Sequence, residues 1–230
     1  YQYDSRNRLT SWTATQPASD GPARPRDRYG NEMTGQQFSI DSFGNITSAT
    51  TSLNATPDTN VATFTYDPTH PCVLRTVTNS HPTYAKGGTV EYDDAGRITY
   101  DGMETHLTYN SLGRVATARS DLTGLSGKYS YDHHSRLYRQ TVGDDEPIYF
   151  FYKHKEKLDQ LVNLVQGDDQ QRLFRSLSSA PAAQHNVGSN AGTWLLGADM
   201  LGSVVSGSDG KSAPVERVYS AYGEEAVDKQ

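Results

Sequence analysis

Three kinds of side chain in this sequence could carry chemistry, and each meets an obstacle in its own surroundings. His133 and His134 are adjacent, with His154 downstream, and imidazole groups ligate zinc and copper. Neighbouring residues on a turn project in different directions, though, and neither a cysteine nor a third ligand lies close by. No metal is expected there. His70-Pro71-Cys72 could set a thiol against an imidazole. It falls where a turn belongs, so a loop histidine beside a half-buried thiol is the expectation. The 27 Asp and Glu residues could supply the paired carboxylates of glycoside hydrolysis. Asp93-Asp94 and Asp168-Asp169 could offer oxygens to calcium, but the D-x-D-x-D-G loop of a strong site does not occur. Gly87-Gly88, and Gly124 with Gly127, lack the strand-to-helix setting of a phosphate-binding loop.

The aspartates have a stronger regularity than any of these chemistries requires. They recur in Tyr92-Asp93-Asp94-Ala95-Gly96-Arg97-Ile98 and, with Asn for Asp, in Tyr109-Asn110-Ser111-Leu112-Gly113-Arg114-Val115. Looser copies begin at Tyr3-Asp4 and Tyr131-Asp132, with Asn7 and Ser135 in the glycine place. Asp41 to Ile46 keeps Gly44 but lacks the tyrosine, and Tyr66-Asp67-Pro68 keeps the start of the unit with an altered turn. From Asp4 through Asp41, Asp67, Asp93 and Asn110 to Asp132 the steps are 37, 26, 26, 17 and 22 residues. A fixed-length solenoid does not vary in this way. A meander of hairpins with unequal loops does. Residues placed by a structural period are explained by structure before catalysis, so no catalytic residue and no cofactor is expected.

Each unit reads as a hairpin turn. Asp at the first position of a type I turn accepts backbone N–H groups two residues on. The glycine three places later can take positive φ, giving the three-residue hairpin with a bulge. Asn7 tolerates that conformation and Ser135 suits it less. Thr89 to Tyr92 and Leu107 to Tyr109 lead into turns, and Arg97 to Tyr100 and Arg114 to Thr117 lead out, with the period-two patterning of strands. Tyr and the Leu, Ile or Val after the turn are expected to share a packed face, with tyrosine hydroxyls reaching water at the edge.

The composition agrees with a wetted sheet. Apolar residues make up 34% of the chain and there are 15 tyrosines, suited to a pleated, half-polar surface more than to an aliphatic core. The charge is −6, and the densest basic stretch, Arg24-Pro25-Arg26-Asp27-Arg28, is interrupted by an acid, so nucleic-acid binding is not expected. Cys72 is the single cysteine, which excludes a disulfide framework. No run approaches a transmembrane helix, and no signal peptide is visible. The opening inside a repeat suggests a piece of something longer. Thr15 to Thr34 and Ser176 to Thr193 read as long loops. Lys153 to Val165 has some helical character, but its second half, Asp159 to Val165, is expected as a strand.

The tandem Tyr-Asp-x-x-Gly-[Arg/Asn]-[Leu/Ile/Val] units resemble the YD repeats of the RHS family, which includes polymorphic-toxin carriers, the C component of Tc toxins and teneurins. Asp199-Met200-Leu201-Gly202-Ser203-Val204, then Asp209-Gly210, then Tyr219-Ser220-Ala221-Tyr222-Gly223 is similar to the run that leads into the RHS-associated core, with Ala221 where the family usually has Pro. The resemblance implies an all-β fold: an irregular antiparallel hairpin meander forming part of a curved or spiralling shell. It also implies one repeat region over 1–230, clear to 140, degenerate with a loop over 141–193, and entering the core over 194–230.

In relatives the shell holds a C-terminal toxin, and an aspartyl autoprotease in the downstream core severs it. The resemblance therefore implies a non-enzymatic, secreted or cell-surface bacterial wall segment. Its partners would be the rest of the same polypeptide, both core plug and toxin, together with other shell or secretion-machine proteins. The protease aspartates and the toxin are expected to lie beyond this sequence. The alternative is an extracellular carbohydrate-binding or adhesion module of the same repeat, with exposed tyrosines stacking on sugars.

Overall fold

The structure is a computed structural model and describes residues 1–14, 24–53, 58–153, 160–175, 180–199, 201–217 and 219. Among these the helix is absent and every regular element is a strand. The strands are β1 (Gln2–Tyr3), β2 (Leu9–Thr13), β3 (Met33–Ile40), β4 (Ile46–Leu53), β5 (Thr59–Tyr66), β6 (Leu74–Asn79) and β7 (Gly87–Thr89). There follow β8 (Glu91–Tyr92), β9 (Ile98–Tyr100), β10 (Thr105–Tyr109), β11 (Val115–Ser120), β12 (Ser126–Tyr131), β13 (Leu137–Val142) and β14 (Ile148–Lys153). The last are β15 (Gln160–Gln166), β16 (Asp169–Arg175), β17 (Pro181–Val187), β18 (Gly192–Ala198), β19 (Val204–Ser208) and β20 (Val215–Glu216). Strands β1 to β7 form one sheet and β8 to β20 another, each in chain order without a crossover. This is the all-β antiparallel meander that the repeat implies.

The turn chemistry sets the register. Tyr3 pairs with Leu9, Ile40 with Ile46, Tyr66 with Leu74, Tyr92 with Ile98 and Tyr131 with Leu137, and each of these pairs follows a register shift. Asn7, Gly44, Gly96 and Ser135 sit at φ of 58°, 94°, 77° and 74°. A left-handed residue after a type I turn inserts the extra residue, and the side chains either side then resume one face together.

Residues 1–106 make up most of one compact unit and residues 107–217 the other. The first has a core: Trp12, Met33 and Phe38 are buried, with Leu9, Ile40 and Ile46 packed against them. Val77 and Val90 are also buried. In the second unit Gly127 is the only buried residue among those described. Its strands carry apolar side chains in short runs such as Ile148 to Tyr152 and Leu164-Val165, and both faces stay partly wetted.

Three stretches differ from the sequence reading, and a fourth agrees with it where it is described. Of the loop expected over Thr15–Thr34, residues 15–23 lie outside the described residues, but the rest contains a hairpin turn closed by an Arg26–Glu32 bridge. The connection expected over Ser176–Thr193 contains β17, paired on both sides with β16 and β18. Pairing on two edges supplies what Pro-Ala-Ala-Gln-His-Asn lacks in strand propensity, and Pro181 sits at the strand start where its missing N–H is tolerated. The continuous strand over Thr89–Tyr92 breaks at Val90. There the chain leaves the first sheet for the second, with the Val90 N–H on the Arg75 carbonyl at 2.9 Å. The Lys153–Val165 stretch resolves in its second half to β15, and residues 154–159, with His154, lie outside the described residues.

Candidate functional site: the Tyr-Asp turns

The repeated aspartates close their turns by one scheme. In the turns at Asp4, Asp41, Asp93 and Asp132, the second and fourth residues after the acid donate their N–H groups to a single carboxylate oxygen at 2.8–3.0 Å. Asn110 accepts the same two bonds through its amide oxygen, at 3.0 Å each, so the turn itself requires an acceptor and not a charge. The backbone closes it a second time: Gly44, Gly96, Gly113 and Ser135 donate N–H to the acid's own carbonyl. Asp199 and Gly202 build the same turn. Tyr222 and Gly223 lie outside the described residues.

The second carboxylate oxygen is taken by the residue four places on. Arg8, Arg97 and Arg136 each donate Nε at 2.7 Å, and Asn45 donates its amide at 2.9 Å to Asp41. Partial desolvation opposes ionisation of Asp132, but the Arg136 guanidinium and the turn amides outweigh it and hold its carboxyl at about 2. The backbone N–H of Arg97 does most to lower Asp93, and that of Arg8 does most to lower Asp4. Asp67 has the altered turn. It accepts N–H groups from Thr69 and His70 at 2.8 Å, the Thr69 hydroxyl at 2.6 Å and Arg75 at 2.5 and 3.0 Å. The Thr69 hydroxyl first, then Arg75, hold its carboxyl far below the usual range.

The tyrosines do not end in water. Tyr66 donates its hydroxyl to the Ile46 carbonyl at 2.9 Å, Tyr92 to Leu74 at 2.8 Å, Tyr131 to Val115 at 3.0 Å and Tyr152 to Leu137 at 2.9 Å. Each acceptor is the first strand residue after the preceding turn. A tyrosine therefore ties its own hairpin to the one before it, and the expectation of hydroxyls at a wet edge is corrected. Arg114 also lies over the Tyr131 ring at 5.7 Å and Arg136 over Tyr152 at 5.4 Å, so the turn arginine of one repeat caps the tyrosine of the next. Tyr3 stands 60% exposed at the first strand, and Tyr109 ends β10.

Two copies escape a strict pattern search. Asp27-Arg28-Tyr29-Gly30-Asn31 makes the full turn, with Tyr29 and Asn31 N–H on Asp27 at 2.9 Å and the Asn31 amide on its other oxygen at 3.0 Å. Arg26 replaces the tyrosine, but the D-x-x-G-N spacing was there to be read. Tyr100-Asp101-Gly102 has its glycine one place after the acid. Met103, Glu104 and Thr105 all donate N–H to Asp101 at 2.8–2.9 Å. Tyr152 carries no following Asp, and nothing in its local sequence marks it.

The His133 and His134 rings lie 3.9 Å apart instead of diverging, and among the described residues no group of three metal-type ligands forms. Cys72 is exposed, not half-buried, and the carbonyl of Pro71 beside it accepts the Asn45 side-chain amide at 2.8 Å. Glu104, buried to 7% exposure, is paired with Arg28 at 3.2 Å. His81 bridges the Thr83 hydroxyl at 2.7 Å and Asp58 at 2.9 Å, a relay that joins two loop ends. Asp169 is occupied by Ser189.

Comparison with known proteins places these features. The family model described as Teneurin YD-shell matches residues 58–175. No curated protein matches the chain. Among solved structures, a chain of the TcdB2-TccC3-Cdc42 complex aligns with a TM-score of 0.50 at 15% identity, over 99% of this chain and 13% of that one. A chain of the Photorhabdus luminescens Tc holotoxin pore aligns with a TM-score of 0.48 at 14% identity, over 98% of this chain and 13% of that one. The likeness is one of fold, and this chain spans about an eighth of the length of those it matches.

Proposed function

The chain belongs to the teneurin YD-shell family, and from that premise we propose that it is a non-catalytic stretch of shell wall enclosing a passenger, a C-terminal toxin in the same polypeptide. The observation that carries the proposal is the ladder of tyrosine hydroxyls, each bonded to a carbonyl of the previous hairpin. Such a ladder makes a sheet that grows repeat by repeat and holds its turns in line. The first sheet has edge strands β1 and β7 and the second β8 and β20, edges that further hairpins can extend. Export follows from the role, by a specialised bacterial route; among the described residues no helix is long and apolar enough to cross a membrane.

Carbohydrate binding through the motif tyrosines is the weaker reading, because Tyr66, Tyr92, Tyr131 and Tyr152 commit their hydroxyls to backbone carbonyls. The test uses the parent polypeptide with its C-terminal passenger. Limited proteolysis is run on the native protein and on a Tyr92→Ala/Tyr131→Ala variant. Containment requires a passenger that resists protease in the native wall and is cut in the variant. A passenger cut at the same rate in both sinks the proposal.

A further inference from the structure

Backbone pairing in the second unit collects residues that the sequence scatters. Arg139 pairs with Tyr149. Phe151, Asn163, Arg172 and His185 form one row across four strands. Phe174, Ala183 and Leu195 form the next row. Tyr149 and Phe151 are two residues apart, as are Arg172 and Phe174, so all share a face. Lys128 joins it, two residues from the Ser130 that pairs with Arg139. On this face Tyr149, Phe151, Phe174 and Leu195 are 38%, 50%, 53% and 68% exposed.

From β12 to β18 the charge on this face is one-sided. Strands β11 to β19 contain a single acid, Asp169, and it follows the opposite parity to Gln170 and Arg172. Of the other described acids of this unit, Glu216 stands on β20, paired with Ser206 at the far edge of the same face, and the rest stand in turns or loops. Among the described residues Lys128, Arg139 and Arg172 have no carboxylate partner, in a chain of net charge −6. Exposed Leu195 beside the aromatic rings suits apolar side chains better than stacked bases.

The geometry points to a docking surface for an acidic polypeptide segment laid across the strands. Its carboxylates meet Lys128, Arg139 and Arg172. Its apolar side chains cover Phe151, Phe174 and Leu195. Strands about 4.8 Å apart put β12 and β18 about 29 Å apart, the reach of about nine extended residues. The inference stands on the register and charge of this unit and does not depend on the presence of a passenger.

The test is fluorescence anisotropy with a labelled peptide of alternating Glu and Leu or Phe residues, against its Lys-for-Glu counterpart and an oligo-dT strand of similar length. The acidic peptide is expected to bind, to weaken with salt, and to lose about tenfold or more in affinity on Arg139→Glu/Arg172→Glu. Far-UV circular dichroism checks that variant. If it does not fold, Lys128→Gln/Arg139→Gln/Arg172→Gln takes its place with the same loss expected. Equal binding of acidic and basic peptides, stronger binding of oligo-dT, or full affinity in a folded charge variant overturns the proposal.

Discussion

Replacing Tyr92 or Tyr131 by Phe removes one oxygen and leaves the ring in place, so it isolates the bond between successive hairpins. The Tyr92 hydroxyl lies 2.8 Å from the Leu74 carbonyl and the Tyr131 hydroxyl 3.0 Å from that of Val115, both in partly buried settings. A neutral hydrogen bond contributes a net of about 1 kcal/mol, and a carbonyl stranded away from water adds to the loss. Because both carbonyls are near solvent, water recovers part of it, and each substitution is expected to cost about 1 kcal/mol. The two sites share no partner, so the double variant is expected to lose about 2 kcal/mol. Urea unfolding followed by circular dichroism measures it, as a lower midpoint with an unchanged slope. Tyr138→Phe is the control, since that side chain is 41% exposed and has no hydroxyl partner among the described residues. If Tyr92→Phe and Tyr131→Phe unfold with the control, the hydroxyl ladder does not hold the hairpins together and the reasoning fails.

Ser135 occupies the left-handed position at φ 74° where other repeats have glycine, so Ser135→Gly is expected to raise stability by about 1 kcal/mol, read as a higher urea midpoint. Gly87→Ala is expected to cost at least about 2 kcal/mol, because at φ +85° the new methyl would meet the Val77 carbonyl at 2.0 Å; amide exchange would rise in β6 and β7 first. The turn carboxylates have folded values below the ordinary 3.8. Their contribution is therefore full above that value and lost as pH falls through about 2 for Asp132, so thermal stability should be flat near neutrality and drop between about pH 4 and 2. Asp132→Asn should keep the turn, as Asn110 does naturally, and remove part of that acid drop, whereas Asp132→Ala should lower the midpoint at neutral pH as well.

The fold was legible because turn chemistry is local. Asp, a left-handed residue and alternating Tyr, Thr and Val specify a bulged hairpin from within seven residues, and Ser135 could be singled out as the poor fit. What stayed hidden depended on neighbours. The role of Arg8, Arg97 and Arg136 needs the carboxylate's second oxygen in view, and the tyrosine links join residues 15 to 20 apart. β17 was missed because its strand character comes from the two strands beside it, and Cys72 because exposure in a loop is decided by the loop's course.

Four of the tyrosine links point back along the chain, whereas Tyr100 donates within its own turn, to the Met103 carbonyl at 2.9 Å. In these four the donor is the later residue and the acceptor the earlier: Tyr66 to Ile46, Tyr92 to Leu74, Tyr131 to Val115, Tyr152 to Leu137. A chain leaving the ribosome would thus bring out each of these four tyrosines after the carbonyl it needs is already in place. Folding can keep pace with synthesis, one hairpin at a time, without waiting for distant sequence.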